Sequence, residues 1–158
     1  LQRASAQFDP VQLRHWQGLW VRTLSPAAAL EWLGPFLPED MPPARRASSV
    51  AALLPNIVAA REVSVWLPVL VGGELQFDSE ARAAASAAGA EFFRAMAAAV
   101  GEAPDLNALR KASGLKGAAF YMPLRAALTG RLHGPELAPL LRAMSPQLVR
   151  ERLASWAR

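Results

Sequence analysis

Basic side chains are concentrated in the last third of this sequence. Residues 110–158 contain nine Lys and Arg against two Asp and Glu, a net charge of +7, whereas residues 1–109 carry a net charge of −3. A basic segment of this kind is what a polyanion-binding surface requires. The alternative is a solvated helical face in an arginine-rich protein, because Arg outnumbers Lys 15 to 2. Charge alone leaves both interpretations open.

Arg125, Arg131 and His133 are side chains in this segment whose chemistry allows them to bind RNA. Arg125 is predicted on a largely apolar helix, where its guanidinium can stack on an unpaired base or grip a phosphate. Arg131 and His133 follow Gly130, in a short basic turn. The alternative for Arg125 is an ion pair with a carboxylate on a helix face. For Arg131, Lys116 and Arg142, a plain surface role is an equally good interpretation.

Patterns that support catalysis are missing from the chain. It contains no P-loop, no G-x-S-x-G, no H-E-x-x-H and no dinucleotide fingerprint. Cysteine is absent, and the two histidines, His15 and His133, are far apart in sequence, which argues against a metal site. The adjacent Glu39 and Asp40 lie in a proline-rich loop, where solvation is the simpler role. These features argue against a self-contained enzyme.

The ends and the apolar runs of the sequence bear on where the protein works. No apolar run reaches the roughly 18 residues that span a bilayer, and the N-terminus shows no signal-peptide pattern. We therefore expect a cytoplasmic protein without a membrane partner. The chain starts at Leu1 and not at a methionine, which predicts a piece of a longer protein.

Helix signals dominate the whole chain. Caps followed by proline predict helices after Asp9, Ser25 and Ser145, and Asp78 or Ser79 should cap a long alanine-rich helix that ends near Val100. Shorter helices are predicted from Pro104 to Ser113, from Gly117 to Leu128 with Gly130 as the terminating glycine, and after Gly134-Pro135. Ser48 or Ser49 is expected to cap a helix toward Ala60. Residues 62–70 fit either a strand or a buried helix.

These elements predict an all-α protein of eight or nine helices in two small helical subdomains. Gly72-Gly73 breaks the chain, so the boundary is placed between residues 1–76 and residues 77–158. We expect the five tryptophans to fill gaps in the core, because aromatic residues at helical spacing usually face inward.

Two segments of the chain resemble one protein family. Residues 114–137, GLKGAAFYMPLRAALTGRLHGPEL, resemble the C-terminal signature of bacterial glutamyl-tRNA synthetases: a Lys-Gly turn, a helix reading roughly M-P-L-R-x-A-L-T-G, and a turn reading H-G-P-E-L. Residues 6–16, AQFDPVQLRHW, are similar to the family's F-D-x-x-K-L-x-W-L stretch. The matches follow the family's order and approximate separation.

This resemblance implies an anticodon-binding helical cage that belongs to a glutamate–tRNA ligase. The family's ATP-binding motifs do not occur, so the catalytic half, with its ATP and magnesium, would lie outside this chain and no cofactor is expected here. The implied partners are that catalytic half and tRNA-Glu, with tRNA-Gln as a second candidate, and a monomer is the simple expectation. The residues implied to contact RNA are Arg125, Arg131, His133, Gly134, Pro135, Leu137 and, through phosphate, Lys116.

The sequence departs from the family at two points, of which the first concerns the wobble base. Some members read the wobble base with an arginine in the first subdomain, where this chain has Asn56 or Ile57 and the nearest basic residue is Arg61. The alternative function is a helical protein-interaction module that docks another translation enzyme. The apolar Val63–Leu70 stretch and the acidic N-terminal part of the chain motivate it. A related paralogue that kept the fold and lost the RNA is a third interpretation. The second departure is the stretch Val63–Gly73, which is more apolar than is typical of the family and is expected to pack on the absent catalytic half.

Overall fold

The computed structural model describes residues 9–158 and builds them almost entirely from helices. The α-helices are α1 (Pro10–Val21), α2 (Pro26–Leu33), α3 (Pro43–Leu53), α4 (Val63–Val71), α5 (Ser79–Ala99), α6 (Leu106–Ser113), α7 (Ala118–Thr129), α8 (Leu137–Ala143) and α9 (Pro146–Ser155). Short 3-10 turns lie between α2 and α3, at Gly34–Phe36, and between α3 and α4, at Leu54–Asn56 and Ala60–Glu62. The all-α prediction is confirmed, whereas residues 6–8 of the second matching segment lie outside the described residues.

Side-chain caps begin the helices where the sequence predicts them. The carboxylate of Asp9 accepts hydrogen bonds from the backbone N–H groups that open α1, and Asp78 and Asp105 cap α5 and α6 in the same way. Ser25 and Ser145 cap α2 and α9 with their hydroxyls. Each cap supplies an acceptor to an N–H group that has no partner inside its own helix.

The prediction that Ser48 or Ser49 caps a helix is wrong. Helix α3 starts at Pro43, and both serines lie within it. Ser49 is fully buried, and its hydroxyl points toward the sulfur of Met41 at 3.7 Å. Proline at the first helical position fixes φ and lacks an N–H that would need an acceptor, which explains the earlier start. Leu54–Asn56 then ends the helix in a 3-10 turn.

The ambiguous stretch at residues 62–70 is a helix. Helix α4 buries Val63, Trp66, Val69 and Leu70 inside this chain, so those four side chains are not available to pack on a missing catalytic half. Within residues 9–158, no single helix is long and apolar enough to cross a membrane.

One continuous apolar core runs through α2 to α9. The partly buried Arg45 and the buried Arg152 connect its parts. Arg45 donates to the carbonyl oxygens of Leu70 (2.9 Å) and Ala143 (3.3 Å). Arg152, which is 8% exposed, donates to those of Val69 and Leu128 at 2.7 Å, and also to that of Pro68. These bonds join residues on both sides of position 76; the division into two subdomains stays a prediction.

The tryptophans divide between the core and the surface. Trp66 is buried and Trp32 and Trp156 pack partly against the core. Trp16 and Trp20 are 59% and 50% exposed, so the expectation that all five fill the core is wrong for these two. Both belong to α1, whose inward side is formed instead by residues such as Val21.

Candidate nucleic-acid interface

The turn between α7 and α8, residues 130–136, is where most of the predicted site residues meet. It begins at Gly130, which has a left-handed conformation (φ 73°) and donates its N–H to the carbonyl of Ala126 at 2.8 Å. The Gly130 carbonyl accepts the N–H of Asp78 at 3.3 Å. A Cβ at position 130 would overlap the backbone oxygen of Gln76. Glycine is therefore needed both for the backbone angle and for the close approach of the 76–78 segment.

Arg125 connects helix α7 to the far side of this turn. Its Nη1 donates a hydrogen bond of 2.7 Å to the carbonyl oxygen of Pro135. The side chain is half-buried, and burial lowers the pKa of its guanidinium. The sequence left open an ion pair with a carboxylate; within residues 9–158 the one ion pair joins Arg14 and Glu62. The guanidinium has five N–H donors, and in the described part of the chain only Nη1 has a hydrogen-bond acceptor.

The hydroxyl of Thr129 holds the start of the turn. Its Oγ1 lies 2.8 Å from the carbonyl oxygen of Arg125 and 3.0 Å from that of Arg131, and it accepts the Arg131 N–H at 3.2 Å. Thr129 is buried. One hydroxyl therefore bonds to the last turn of α7 and to the backbone of Arg131. These contacts fix the direction of the chain where it leaves the helix.

Trp66 of α4 lies directly behind the turn, a role that no sequence pattern indicates. Its six-membered ring lies directly against Gly134, so that a Cβ at position 134 would overlap the ring. The guanidinium carbon of Arg131 lies 5.5 Å from the centre of the same ring, on its face. A tryptophan in an apolar helix is expected to pack in the core, and Trp66 is 8% exposed. No local pattern in the sequence predicts that it contacts the turn between α7 and α8.

An open cleft of about 450 Å³ lies beside the turn. It is lined by Gln76, Phe77, Asp78, Arg131 and His133. The carboxylate of Asp78 is already engaged as the cap of α5, so the exposed polar groups that face the cleft include the two basic side chains of the turn. A cleft of this kind suits an anionic or polar ligand such as a nucleotide.

Pro135 and Leu137 have buried side chains. Leu137 is the first residue of α8, and Pro135 precedes that helix and offers its carbonyl to Arg125. These two residues can therefore shape the turn and present backbone groups, whereas their side chains pack inward. Gly134 and His133 are exposed.

Lys116 is not brought to the turn. It is exposed in the loop before α7, and the 12 residues of that helix separate its ends by about 18 Å. Arg142 is exposed on α8. Any ligand that contacts both Lys116 and the turn must extend along the length of α7.

Part of the basic charge in residues 110–158 is used inside the protein. Arg150 donates to the carbonyl oxygen of Val100 at 2.9 Å, and Arg152 is buried against three carbonyls. Burial lowers the pKa of Arg152 to about 10, so it is still protonated at neutral pH. The net charge of this segment therefore overstates the charge that a ligand would meet.

The positions where the family's wobble-reading arginine is expected differ in exposure. Asn56 and Arg61 are exposed, whereas Ile57 is buried in the core. Ile57 therefore offers no side chain to a ligand, and the polar groups available in this region are those of Asn56 and Arg61. The described residues bring no three His, Asp or Glu side chains together in an arrangement that could hold a metal ion.

Comparison with known proteins finds relatives along the whole chain. The family model described as "Anticodon binding domain" matches residues 102–157, which include α6 to α9 and the turn. Glutamate–tRNA ligase 1 of Methylococcus capsulatus is 37% identical over 99% of this chain, and glutamate–tRNA ligase 1 of Halorhodospira halophila is 38% identical over 95%. This chain spans 34% and 32% of the length of those two proteins.

A solved structure shows the same fold. The glutamate–tRNA synthetase of Elizabethkingia anophelis superposes with a TM-score of 0.78 over 98% of this chain and 32% of its own, at 17% sequence identity. The likeness extends across the whole described architecture. The resemblance seen in the sequence is thereby confirmed: this chain belongs to the glutamate–tRNA ligase family and corresponds to the C-terminal anticodon-binding region of its members.

Proposed function

We propose that this chain binds the anticodon loop of a tRNA, as the C-terminal part of a glutamate–tRNA ligase. The observation that carries the proposal is the α7–α8 turn, in which three separate contacts hold a basic, exposed surface: Arg125 on Pro135, Thr129 on Arg131, and Trp66 on Gly134. Proteins read single-stranded RNA loops by stacking on splayed bases and by hydrogen bonds to base edges.

Each site residue has a role that fits its position. Arg125 uses one donor to hold the turn and directs the others to RNA, either to a base edge or to a phosphate. Arg131 and His133 are exposed beside the cleft and bind phosphate or stack on bases. Gly134, Pro135 and Leu137 contribute backbone groups and the shape of the turn.

Lys116 contacts a phosphate at the opposite end of α7. An anticodon stem and loop extends far enough to contact both ends of a helix of about 18 Å. The contact is electrostatic, because a lysine ammonium is a compact point charge without the planar fork of arginine. Lys116 therefore adds affinity without base preference.

A turn fixed before binding suits recognition, because ordering a flexible loop opposes association. The contacts that hold this turn come from α4, α7 and the turn's own backbone. We therefore expect the residues of this turn to discriminate between bases without moving when RNA binds.

The substrate we propose is tRNA-Glu, with tRNA-Gln as a second candidate. No arginine occupies the position expected to read the wobble base, and exposed Asn56 and Arg61 are the polar residues nearby. The partner within the same protein is the catalytic half, which would supply ATP and Mg²⁺ chemistry. We propose a cytoplasmic monomer in which residues 1–76 and 77–158 form the two subdomains of the cage.

The alternative, an interaction module, loses one of its two motives, the apolar stretch Val63–Leu70. Four of the large side chains of that stretch are buried in this chain, and of its remaining large apolar residues Val65 is the one that is exposed. A single exposed valine does not form a docking surface.

A binding titration over a salt series tests the proposed function. The chain is titrated with tRNA-Glu, tRNA-Gln and an unrelated tRNA, at low and at moderate salt. The proposal expects the tightest binding to tRNA-Glu and a steep loss of affinity with salt, because phosphate contacts release counterions. Equal affinity for all three tRNAs would show phosphate contacts without anticodon recognition, and absence of binding at low salt would contradict the proposal.

A further inference from the structure

Helix α1 presents a row of large apolar side chains to solvent. Leu13, Trp16, Leu19 and Trp20 are all exposed, Trp16 by 59%. Residues 13, 16 and 20 recur at the spacing of one helix face, and Leu19 borders it. Helix α1 carries five of the exposed large apolar residues of the described chain, counting Val11. The other six are spread over the 3-10 turn at Gly34–Phe36, α4, the loop before α7, and α7.

The opposite side of α1 is held against the rest of the fold. Arg14 forms an ion pair of 2.8 Å with Glu62, and a Cβ at Gly18 would be 3.8 Å from Val58. Val21 is buried. The apolar face is therefore presented by a helix that is already docked on its polar and small-residue side, and it cannot be hidden by rotating the helix.

Two exposed tryptophans on one face are costly for a surface that faces only water. Isolated exposed apolar residues are normal, but a contiguous apolar face that includes aromatic residues marks an interaction surface. Trp20 packs edge-to-face on Trp32 with ring centres 5.3 Å apart, which leaves half of its surface free. The ring of Trp16 contacts its neighbour His15 edge-on and is otherwise more exposed than any other tryptophan in the chain.

The length of the related proteins indicates what covers this face. Glutamate–tRNA ligases that match this chain are about three times as long, and the match lies in their C-terminal part. Helix α1 is the first described element, so it is the element next to the part of such a ligase that precedes this region. A covalent tether raises the local concentration of that part at α1, which favours docking there over docking of a free partner.

We infer that the face formed by Leu13, Trp16, Leu19 and Trp20 packs against the preceding catalytic half of the ligase and sets the orientation of the anticodon-binding region relative to it. This inference rests on the proposed function. It assigns to α1 the role that the sequence suggested for residues 63–73, whose main apolar side chains are buried within the chain.

Hydroxyl-radical footprinting of the 158-residue chain and of the longer ligase tests the inference. Oxidation of Trp16 is compared with that of Trp66, which is 8% exposed and serves as the buried reference in both proteins. The expected result is rapid oxidation of Trp16 in the chain and a loss of that reactivity in the ligase, toward the level of Trp66. Equal oxidation of Trp16 in both proteins would overturn the inference.

Substitutions in the ligase provide the second measurement. Leu13→Gln with Trp16→Gln should expose Trp20 to oxidation, whereas the control Val71→Gln, at an exposed valine of α4, should leave Trp20 protected. If the control and the double variant behave alike, the face is not the contact.

Other occupants give different results. Protection of Trp16 in the chain that grows with protein concentration would indicate a second copy, and protection only when tRNA is added would indicate RNA; either would overturn the inference. Absence of tRNA binding by the chain would contradict the proposed function without changing the footprint, so the two failures are distinguishable.

Discussion

The indole ring of Trp66 lies against the backbone of Gly134, sixty-eight positions later in the chain. Gly134 has a φ of +137°, a conformation that side chains rarely adopt. The contact places a rigid aromatic wall from α4 directly behind the turn that joins α7 to α8, and the guanidinium of Arg131 lies over the face of the same ring. The proposed RNA-binding turn is therefore positioned by a residue from the opposite half of the sequence.

Replacement of Gly134 by alanine should lower the free energy of unfolding by about 1–3 kcal/mol, because the added methyl group overpacks the ring of Trp66. The positive φ adds backbone strain. Urea unfolding measures the loss, and Gly89→Ala is the matched control, since Gly89 also has a positive φ (78°) but no neighbour within 4 Å. A loss for Gly134→Ala no larger than that of the control would contradict the packing argument.

Replacement of Thr129 by valine should destabilise the chain and loosen the start of the turn. Valine has nearly the same shape but leaves the Arg131 N–H without its buried acceptor, at a cost of about 1–3 kcal/mol. Hydrogen exchange of the Arg131 amide, together with urea unfolding, measures the effect. Thr129→Ser keeps the hydroxyl and should retain slow exchange; rapid exchange in the serine variant and slow exchange in the valine variant would disprove the role of the hydroxyl.

Glu62 should make the stability of the chain depend on pH in the acid range. Burial raises the pKa of its carboxyl, but the N–H groups of Val58 and Ala59 and the guanidinium of Arg14 together outweigh burial, so the pKa is lowered from 4.5. Because the folded pKa lies below the unfolded one, this stabilisation is present above pH 4.5 and is lost as the pH falls through the folded pKa.

The variant Glu62→Gln should therefore be less stable than the unmodified chain at neutral pH, by about 1 kcal/mol, and the two should converge in acid. Urea unfolding between about pH 7 and pH 3 measures this difference. Glu91→Gln serves as the control, because Glu91 is an exposed carboxylate on α5. A difference between Glu62→Gln and the unmodified chain that stays constant across the pH range would rule out the proposed titration.

Capping residues and prolines predict most of the helices from the sequence. They do not predict which residues from distant parts of the chain contact each other. Asp9, Ser25 and Ser145 each precede proline and cap the helix that follows, as their sequence pattern indicates. The wrong prediction of a cap at Ser48 or Ser49 also comes from a local pattern. A serine inside a helix resembles a capping serine in the sequence, and the true start of the helix at Pro43 lies within a run of prolines.

The site was predictable as a list of residues and not as an arrangement. The motif at residues 114–137 identifies Arg125 and the turn, but no spacing indicates that Arg125 binds the carbonyl of Pro135 or that Trp66 supports Gly134. The basic charge of the C-terminal third is also ambiguous in sequence, because Arg152 counts toward it and yet is buried against the carbonyls that end α4 and α7.

Anticodon binding through the α7–α8 turn is tested by the dissociation constant for tRNA-Glu of the Arg125→Ala chain. The control is Arg22→Ala, which removes the same charge from an exposed position after α1. Helicity is measured for both variants to check that they are folded. We expect Arg125→Ala to weaken binding by about 1–3 kcal/mol and Arg22→Ala to have little effect. An unchanged affinity for a folded Arg125→Ala chain, or an equal loss in both variants, would contradict anticodon binding through this turn.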